Sequence, residues 1–302
     1  MKGAEIIAKR YLNHQHSRRE GHFNRYMQSN TYTGRRIDYN SDTRREQRER
    51  NDKQHRHMTQ DIVGVCETHL KYDDVLHVNS YNWIGQNRKH LHKNAKTGSG
   101  GVGFFVKKSY YKMFDIGVLD TSFEGILWVY FKHKKSDFKF SVCVAYLPPE
   151  NSTRQVDKDV FFDTLISQVY EHQNSGPFFI CGDFNSRFGD ENDCIVGVDD
   201  LCPRDVVDFK YNSYGNTFID FLISVNCCTL NGKNFVNNDF TYISTKGCSV
   251  VDYCIVPYDN LNLFKDFCVI RANDLVTSAG FDVKGVDLKL IPDHSLIKWS
   301  ID

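Results

Sequence analysis

The sequence predicts an α+β fold: a four-layer α/β/β/α sandwich in which two mainly antiparallel sheets lie face to face with helices outside them. Three observations lead to this prediction. From Met58 onward, short apolar runs recur, most of them β-branched or aromatic in character, and turn-forming residues bound them. Two longer segments have helical periodicity. The composition, 40% apolar with 22 Phe and 16 Tyr, is sufficient for a large core.

The apolar runs predict the strands of the two sheets. Gly, Asn, Asp or Pro bounds most of them, and these residues are depleted inside strands. In chain order, the predicted strands cover residues 61–66, 81–85, 101–108, 125–133, 138–146, 177–181, 227–231, 240–244, 249–256, 264–272 and 295–301.

The two helical segments cover residues 156–172 and 216–226, where apolar residues recur every three or four positions. The Gly-rich segment 93–106 is a different case. A phosphate-binding glycine loop requires a helix directly behind it, whereas this segment runs into a strand. We therefore expect a basic loop there.

Residues 1–57 differ from the rest of the chain. They carry 14 Lys and Arg against 7 Asp and Glu, whereas residues 58–302 carry 24 against 31. The segment has few apolar residues to offset its ordering entropy, which predicts a flexible arm or a loosely helical one. A nuclear-localisation signal or a nucleic-acid-binding patch is the alternative. We expect the folded domain to cover residues 58–302.

The sequence predicts an intracellular location, in the nucleus or the cytoplasm. Its apolar runs are far shorter than the roughly 18 residues that a membrane span requires, and the N-terminus does not resemble a secretory signal. Four of the ten cysteines, Cys66, Cys143, Cys181 and Cys254, lie inside strand-like runs, where a free thiol behaves as a small apolar group. The cysteine and histidine spacing does not match a zinc site.

Polar residues that suit catalysis recur where the apolar runs end. Each alone could be a strand end or a turn, but five such placements favour a shared site. They are Glu67, Tyr146, the pair Asp183 and Asn185, then Thr241 with Asp252, and the pair Asp293 and His294.

Carboxylates, an amide, a phenol and a histidine without thiolate ligands suit a hard cation such as Mg²⁺, with Mn²⁺ as a possible substitute. Such a set can hydrolyse a phosphodiester, because the metal neutralises phosphate charge while a carboxylate positions water and a histidine moves a proton. Asp252 stands out because it lies inside an apolar run, where an unpaired carboxylate is costly.

The order of these motifs resembles a known family. "CETHL", "AYLPPE", "ICGDFNSRFGD", "FTYIS…SVVDYCIV" and "IPDHSLIKW" are similar to the successive motifs of the endonuclease/exonuclease/phosphatase superfamily, which includes DNase I and the exonuclease III-type apurinic endonucleases. The residues of these motifs most resemble those of the endonuclease domain of LINE-type, non-LTR retrotransposons. The resemblance covers residues 61–301.

The resemblance implies a role for each polar residue. Glu67 would be the main Mg²⁺ ligand, Asp183 would orient or activate the attacking water, and Asn185 would contact the phosphate. Tyr146 would lie near the scissile phosphate, and Thr241 would support phosphate binding or the hydrogen bonds of the site.

Three further residues complete the implied site. Asp252 would fix its geometry, and Asp293 and His294 would form the terminal Asp-His pair, with His294 on the phosphate. The acid that orients His294 is not identified by sequence; Asp266 and Asp274 are possible.

The chain departs from the family pattern in two places. The family opens with a strand that ends in a metal-binding Asn, but the polar segment before Asp61 has no comparable apolar run. We therefore expect the first strand to be missing or replaced. In addition, Pro292 stands where the family has a Ser, which removes a hydroxyl and a backbone donor.

The implied function is a Mg²⁺-dependent phosphodiesterase that nicks DNA. The alternatives are a catalytically impaired remnant that at most binds nucleic acid, and a phosphatase of the same superfamily. Because residues 58–302 are acidic overall, DNA binding would use local basic stretches at 87–96 and 106–112. No protein or membrane partner is predicted.

Overall fold

The computed structural model describes residues 60–89, 98–278 and 292–301. The predicted arm at 1–57 and residues 90–96 of the first basic stretch lie outside the described residues. The same holds for the segment upstream of Gln60, where the family's opening strand would fall.

The described residues form strands joined by short helices and loops. The strands are β1 (Ile62–Cys66), β2 (Tyr81–Gln86), β3 (Val102–Lys107), β4 (Phe114–Asp120), β5 (Ile126–His133), β6 (Lys139–Tyr146), β7 (Phe178–Asp183), β8 (Cys227–Thr229), β9 (Phe235–Asn237), β10 (Tyr242–Ser244), β11 (Gly247–Ser249), β12 (Asp252–Pro257), β13 (Phe264–Ile270) and β14 (Leu296–Ile301). The α-helices are α1 (Tyr110–Met113), α2 (Lys158–His172), α3 (Ser213–Ser224) and α4 (Ala272–Ser278).

The largest sheet has six strands in the order β4-β5-β6-β7-β12-β8. Its strands are antiparallel except for the β6–β7 pair, which is parallel and is joined through α2. Two three-stranded sheets, β1-β3-β2 and β14-β13-β9, form the facing layer, and β10 and β11 form a separate hairpin. Within the described ranges, β1 is paired with β3 alone and β14 with β13 alone.

Three apolar clusters hold these layers together. The first lies between the sheets and joins residues such as Phe104 and Trp299 to Phe131 and Phe179 of the large sheet. The second packs α2 and α3 on the other face of the large sheet. The third covers the outer face of β1 and β3, where Leu275 of α4 packs. The predicted sandwich of two mainly antiparallel sheets with helices outside is confirmed.

Strand β4 was not predicted from the sequence. It reads "FDIGVLD", with Asp at both ends of its polar face and Gly117 in the middle, residues that favour turns. Its burial alternates irregularly because β4 is an edge strand of the large sheet. β4 therefore forms because it pairs with β5, and not because of its own apolar content.

The prediction of one strand over 249–256 was wrong. β11 ends at Ser249 and β12 begins at Asp252. Between them the backbone N–H of Val250 donates to the Asp208 carboxylate at 2.9 Å, and that of Val251 donates to the Thr241 hydroxyl at 3.0 Å. These two donors bond side chains rather than a strand neighbour, so the ladder breaks at this point.

Among the described residues, no helix combines the length and apolarity that crossing a bilayer requires.

Candidate active site at the strand ends

Three of the predicted site residues lie in one row across the large sheet. In the parallel β6–β7 pair Tyr146 is opposite Asp183, and in the antiparallel β7–β12 pair Asp183 is opposite Asp252. Residues directly opposite each other project from the same face of a sheet, with Cβ atoms about 5 Å apart. The pairing register therefore brings a phenol and two carboxylates together from three sequence-distant segments.

Gly182 explains how this row is built. Its φ is +154°, and a Cβ at this position would lie 1.8 Å from the Ala145 carbonyl oxygen. The backbone of β7 therefore approaches β6 more closely than any side chain would allow. The Gly-Asp pair of "CGDFN" is thus a close strand contact followed by a functional carboxylate, and not simply a turn.

His294 is fixed by the second carboxylate of the row. Its Nδ1 lies 2.8 Å from Asp252 Oδ2 and 3.0 Å from Oδ1, and both residues are buried. Its other nitrogen, Nε2, lies 4.0 Å from Asp183 Oδ2. The ring of Tyr242 packs edge-on against the imidazole, with the ring centroids 5.0 Å apart. The imidazole therefore has one nitrogen on Asp252 and the other facing Asp183.

Thr241 holds the strand that carries Asp252. Its hydroxyl accepts hydrogen bonds from the backbone N–H groups of Val251 and Asp252, both at 3.0 Å. Its carbonyl accepts from Ser295 N–H, directly after His294. Thr241 is fully buried, so of the two implied roles its contacts match support of the site's hydrogen bonds.

Glu67 lies just beyond the end of β1, in the facing sheet. It is 1% exposed and has a left-handed backbone conformation, with φ at +52°. The Tyr146 hydroxyl donates a hydrogen bond to its carboxylate. An arginine and a histidine approach the same carboxylate, with Arg154 Nη1 at 3.6 Å from Oε1 and His69 Nε2 at 3.8 Å from Oε2. Tyr146 thus links Glu67 to the row that contains Asp183.

Asn185 braces the loop after β7. Its amide nitrogen donates to the Leu147 carbonyl at 2.9 Å, and its backbone N–H donates to Asp183 Oδ1 at 3.0 Å. Its own carbonyl accepts from the side chain of Asn212, which also caps the N-terminus of α3. Asn185 is half-buried, with φ at +48°. The loop is therefore tied to β6, to Asp183 and to α3.

Asp293 is placed differently from its neighbour. Its side chain is exposed, and its carbonyl accepts a hydrogen bond from Ile243 N–H of the β10–β11 hairpin at 2.8 Å. That backbone contact positions His294 next to Tyr242. The carboxylate that orients His294 belongs to Asp252. The two candidates that the sequence suggested, Asp266 and Asp274, do not have this role. Asp266 accepts from Ser300 at the surface, and Asp274 lies on the exposed side of α4.

A protonated thiol lies beneath the carboxylates. Burial, together with the negative charge of Asp183, raises the pKa of Cys66 well above its usual range. Its Sγ donates to the Ala145 carbonyl at 3.4 Å. Cys66 is therefore a neutral packing group between the two sheets, kept as a thiol mainly by its burial.

The donor set fits a divalent cation. Asp183, Asp252 and His294 each offer a ligand atom, and these atoms lie within 4.8 Å of one another. Glu67 adds a carboxylate, which the side chains of Arg154 and His69 approach only to 3.6 Å and 3.8 Å, beyond normal hydrogen-bond distance. A hard cation prefers carboxylate oxygen, and His294 Nδ1 is already engaged with Asp252. The carboxylate of Glu67 is therefore available to a divalent cation, and its assignment as the main Mg²⁺ ligand stays a prediction.

Sequence reasoning missed Arg154, His69 and Asn212, which surround the predicted residues. Arg154 follows Tyr146 by eight residues in the loop "LPPENSTR", and only the fold shows that its guanidinium returns to Glu67. For Asn212 a signal was present, since Asn directly before a helix is a common N-cap.

The basic stretch 106–112 does not border this site. Lys107, the last residue of β3, lies beside the start of β1, with its Nζ 3.2 Å from Asp61 Oδ1, whereas Glu67 follows the other end of β1. Five strand residues, roughly 16 Å, separate the two ends. Whether this stretch contacts DNA away from the site stays a prediction. The first stretch is closer, because Asn87 and Arg88 line a cleft beside Tyr146.

Comparison with known proteins agrees with this architecture. The sequence model of the Endonuclease/Exonuclease/phosphatase family matches residues 27–278. A search of curated protein sequences found no match. Among solved structures, the AP endonuclease LMAP from Leishmania major is similar, with a TM-score of 0.58 and 12% identity over 100% of this chain and 88% of that one.

Two further structures are similar at 12% identity. The 3′ phosphatase NExo from Neisseria, bound to a product DNA hairpin, has a TM-score of 0.56 and covers 99% of both chains. The endonuclease domain of TRAS1, a telomere-specific non-LTR retrotransposon, has a TM-score of 0.52 and covers 99% of this chain and 98% of its own. At this identity the structures show the shared fold.

The family match covers most of the chain, and the fold and the strand-end motifs agree with it. The chain belongs to the endonuclease/exonuclease/phosphatase family, whose members hydrolyse phosphoester bonds.

Proposed function

We propose that the protein is a Mg²⁺-dependent phosphodiesterase that nicks DNA, with a retrotransposon-type endonuclease domain at residues 58–302. The observation that carries the proposal is the buried cluster of Asp183, Asp252 and His294, whose ligand atoms lie within 4.8 Å of one another beside Glu67 and Tyr146. The proposed intracellular location is supported by the ten cysteines, all of which are free thiols.

Each residue of the cluster has a chemical task in hydrolysis. Asp183 accepts a proton from, and orients, the water that attacks phosphorus. His294 presents Nε2 to the phosphate, while Asp252 on Nδ1 fixes the ring orientation and stabilises its positive charge. Asn185 retains a second amide proton beyond the one given to Leu147, which is available to a phosphate oxygen. Thr241 and Asp293 contribute by holding Asp252 and His294 in place.

Glu67 and Tyr146 form the other half of the site. Glu67 would hold the Mg²⁺ ion, with Mn²⁺ as a substitute, and the bound ion would supply charge stabilisation at the phosphate. Tyr146 fixes the Glu67 carboxylate by donating its hydroxyl proton and lies opposite Asp183. The phenol therefore lies between the acid that would bind the cation and the acid that would activate water.

The test is relaxation of supercoiled plasmid DNA by the wild-type protein. We expect open-circular product with Mg²⁺ or Mn²⁺ and none with EDTA, because a phosphodiester carries charge that the side chains alone do not neutralise. Intact plasmid under every metal condition, from a sample whose circular dichroism shows a folded domain, would support a catalytically impaired remnant.

Duplexes with defined ends separate the proposal from the phosphatase alternative. One duplex carries a 3′-phosphate and a second carries an abasic site, since the similar structures include a 3′ phosphatase and an AP endonuclease. Release of the terminal phosphate without plasmid nicking would favour a phosphatase and contradict the proposed function.

A further inference from the structure

An open cleft lies directly beside Tyr146, which forms part of its lining. Its lining includes Asn87, Arg88 and Arg154, and glycines 100 and 101 contribute backbone without side chains. Both glycines have left-handed backbones, with φ at +64° and +86°. The cleft is open to solvent and adjoins Tyr146, so a polymer that reacts at Tyr146 and Asp183 can place its neighbouring unit there.

The cleft is bordered by buried polar atoms that lack hydrogen-bond partners among the described residues. One is the side-chain carbonyl of Asn87, which lines the cleft, and another is the Thr68 hydroxyl. A Cβ on Gly101 would lie 2.5 Å from that hydroxyl, so Thr68 borders the same space. Buried polar groups are normally satisfied, and exceptions are frequent where a ligand binds. These atoms indicate that the cleft takes a polar ligand.

Arg154 connects this cleft to the candidate metal position. Its side chain is 30% exposed and lines the cleft, and its Nη1 lies 3.6 Å from Glu67 Oε1. A buried carboxylate needs a compensating positive charge. A divalent cation on Glu67 would provide that charge and repel the guanidinium at the same time. A planar guanidinium is well suited to bind a phosphate through two parallel hydrogen bonds.

We propose that Arg154 is a positioning residue with two alternative partners. In the absence of a cation it neutralises Glu67, and when a cation takes Glu67 it binds the nucleic-acid phosphate next to the scissile one, in the cleft beside Tyr146. This inference rests on the proposed function and identifies the subsite for the neighbouring nucleotide.

Direct binding measurements test this proposal without turnover. The background is Asp183→Asn, and the variants add Arg154→Ala, Arg154→Lys or Lys134→Ala. Lys134 is an exposed cation beyond the far end of β5, so its variant controls for net charge. Fluorescence anisotropy of a labelled duplex, with Mn²⁺ or EDTA and across a range of salt concentrations, gives the Kd for DNA. Electron paramagnetic resonance of free Mn²⁺ gives the Kd for the cation.

Arg154→Ala should weaken DNA binding in Mn²⁺ roughly tenfold and reduce the salt slope by about 1, since one phosphate contact is lost. It should bind Mn²⁺ roughly fivefold tighter, because one positive charge near Glu67 is gone. Arg154→Lys should restore the salt slope and only part of the affinity. In EDTA the loss should be smaller, because Arg154 then stays on Glu67.

An unchanged DNA Kd and salt slope in folded Arg154→Ala overturns the proposal, as does an equal loss in Lys134→Ala. Failure of the proposed function has a different signature, namely no plasmid nicking by the wild-type protein whatever Arg154 does in the binding measurements.

Discussion

Replacing either member of the Asp252–His294 pair is expected to lower the nicking rate by roughly 10²- to 10⁴-fold, the range typical of lost acid–base catalysis. The suitable variants are Asp252→Asn and His294→Gln, which preserve side-chain volume in a site where both residues are buried. His294→Ala would leave Asp252 as a buried carboxylate without its 2.8 Å partner, a loss that typically costs about 3–5 kcal/mol of stability.

The pair should also behave as one unit. Asp252 acts on the phosphate only through His294, so the double variant should be about as slow as the slower single variant. Initial rates of plasmid relaxation with saturating Mg²⁺ measure this, with thermal denaturation as the check on folding. Two results would contradict a joint role: rate losses that multiply in the double variant, or a single variant whose nicking rate lies within about threefold of the wild-type rate.

Glu67→Gln is expected to abolish metal binding at the site and to lower nicking by roughly 10²- to 10³-fold, the loss typical when charge stabilisation of a transition state is removed. The amide keeps the volume and can still accept from the Tyr146 hydroxyl, but it lacks the charge that holds a cation. We expect the free energy of unfolding to change little or to rise, because a buried charge is removed.

Calorimetric titration with Mn²⁺ tests the assignment of Glu67 as the metal ligand, because it measures metal binding and not the reaction. The matched control is Asp115→Asn, an exposed carboxylate on the edge strand β4. Undiminished Mn²⁺ affinity in folded Glu67→Gln would shift the metal assignment to the cluster of Asp183, Asp252 and His294.

The sequence was most informative where local pattern and burial coincide. Eleven of the strands, including those that carry Tyr146, Asp183 and Asp252, follow at least in part from short apolar runs bounded by turn residues. The helix at Lys158–His172 follows from its periodicity. The elements that were missed are short or lie at edges, where their neighbours rather than their own composition decide the conformation; they are β4, β9, β11, α1 and α4.

Contacts between side chains that are far apart in the chain could not be predicted from the sequence. His294 and Asp252 are 42 positions apart, and their contact depends on the β10–β11 hairpin and on the register of β12 with β7. Arg154 was missed for the same reason, since its partner Glu67 is on the facing sheet. The residue types of a site are therefore readable from strand ends, whereas the ion pairs within it depend on the three-dimensional arrangement. The boundary at residue 58 between the N-terminal arm and the folded domain stays a prediction.

The most direct test of the account is the rate of plasmid nicking by Asp183→Asn beside the wild-type protein, purified together and assayed with Mg²⁺. An asparagine keeps the oxygen that accepts from Asn185 N–H at 3.0 Å, but it cannot take a proton from water. We predict metal-dependent nicking by the wild-type protein and a rate lower by roughly 10²- to 10⁴-fold in the variant. Equal nicking by both proteins would contradict a hydrolytic site built on Asp183.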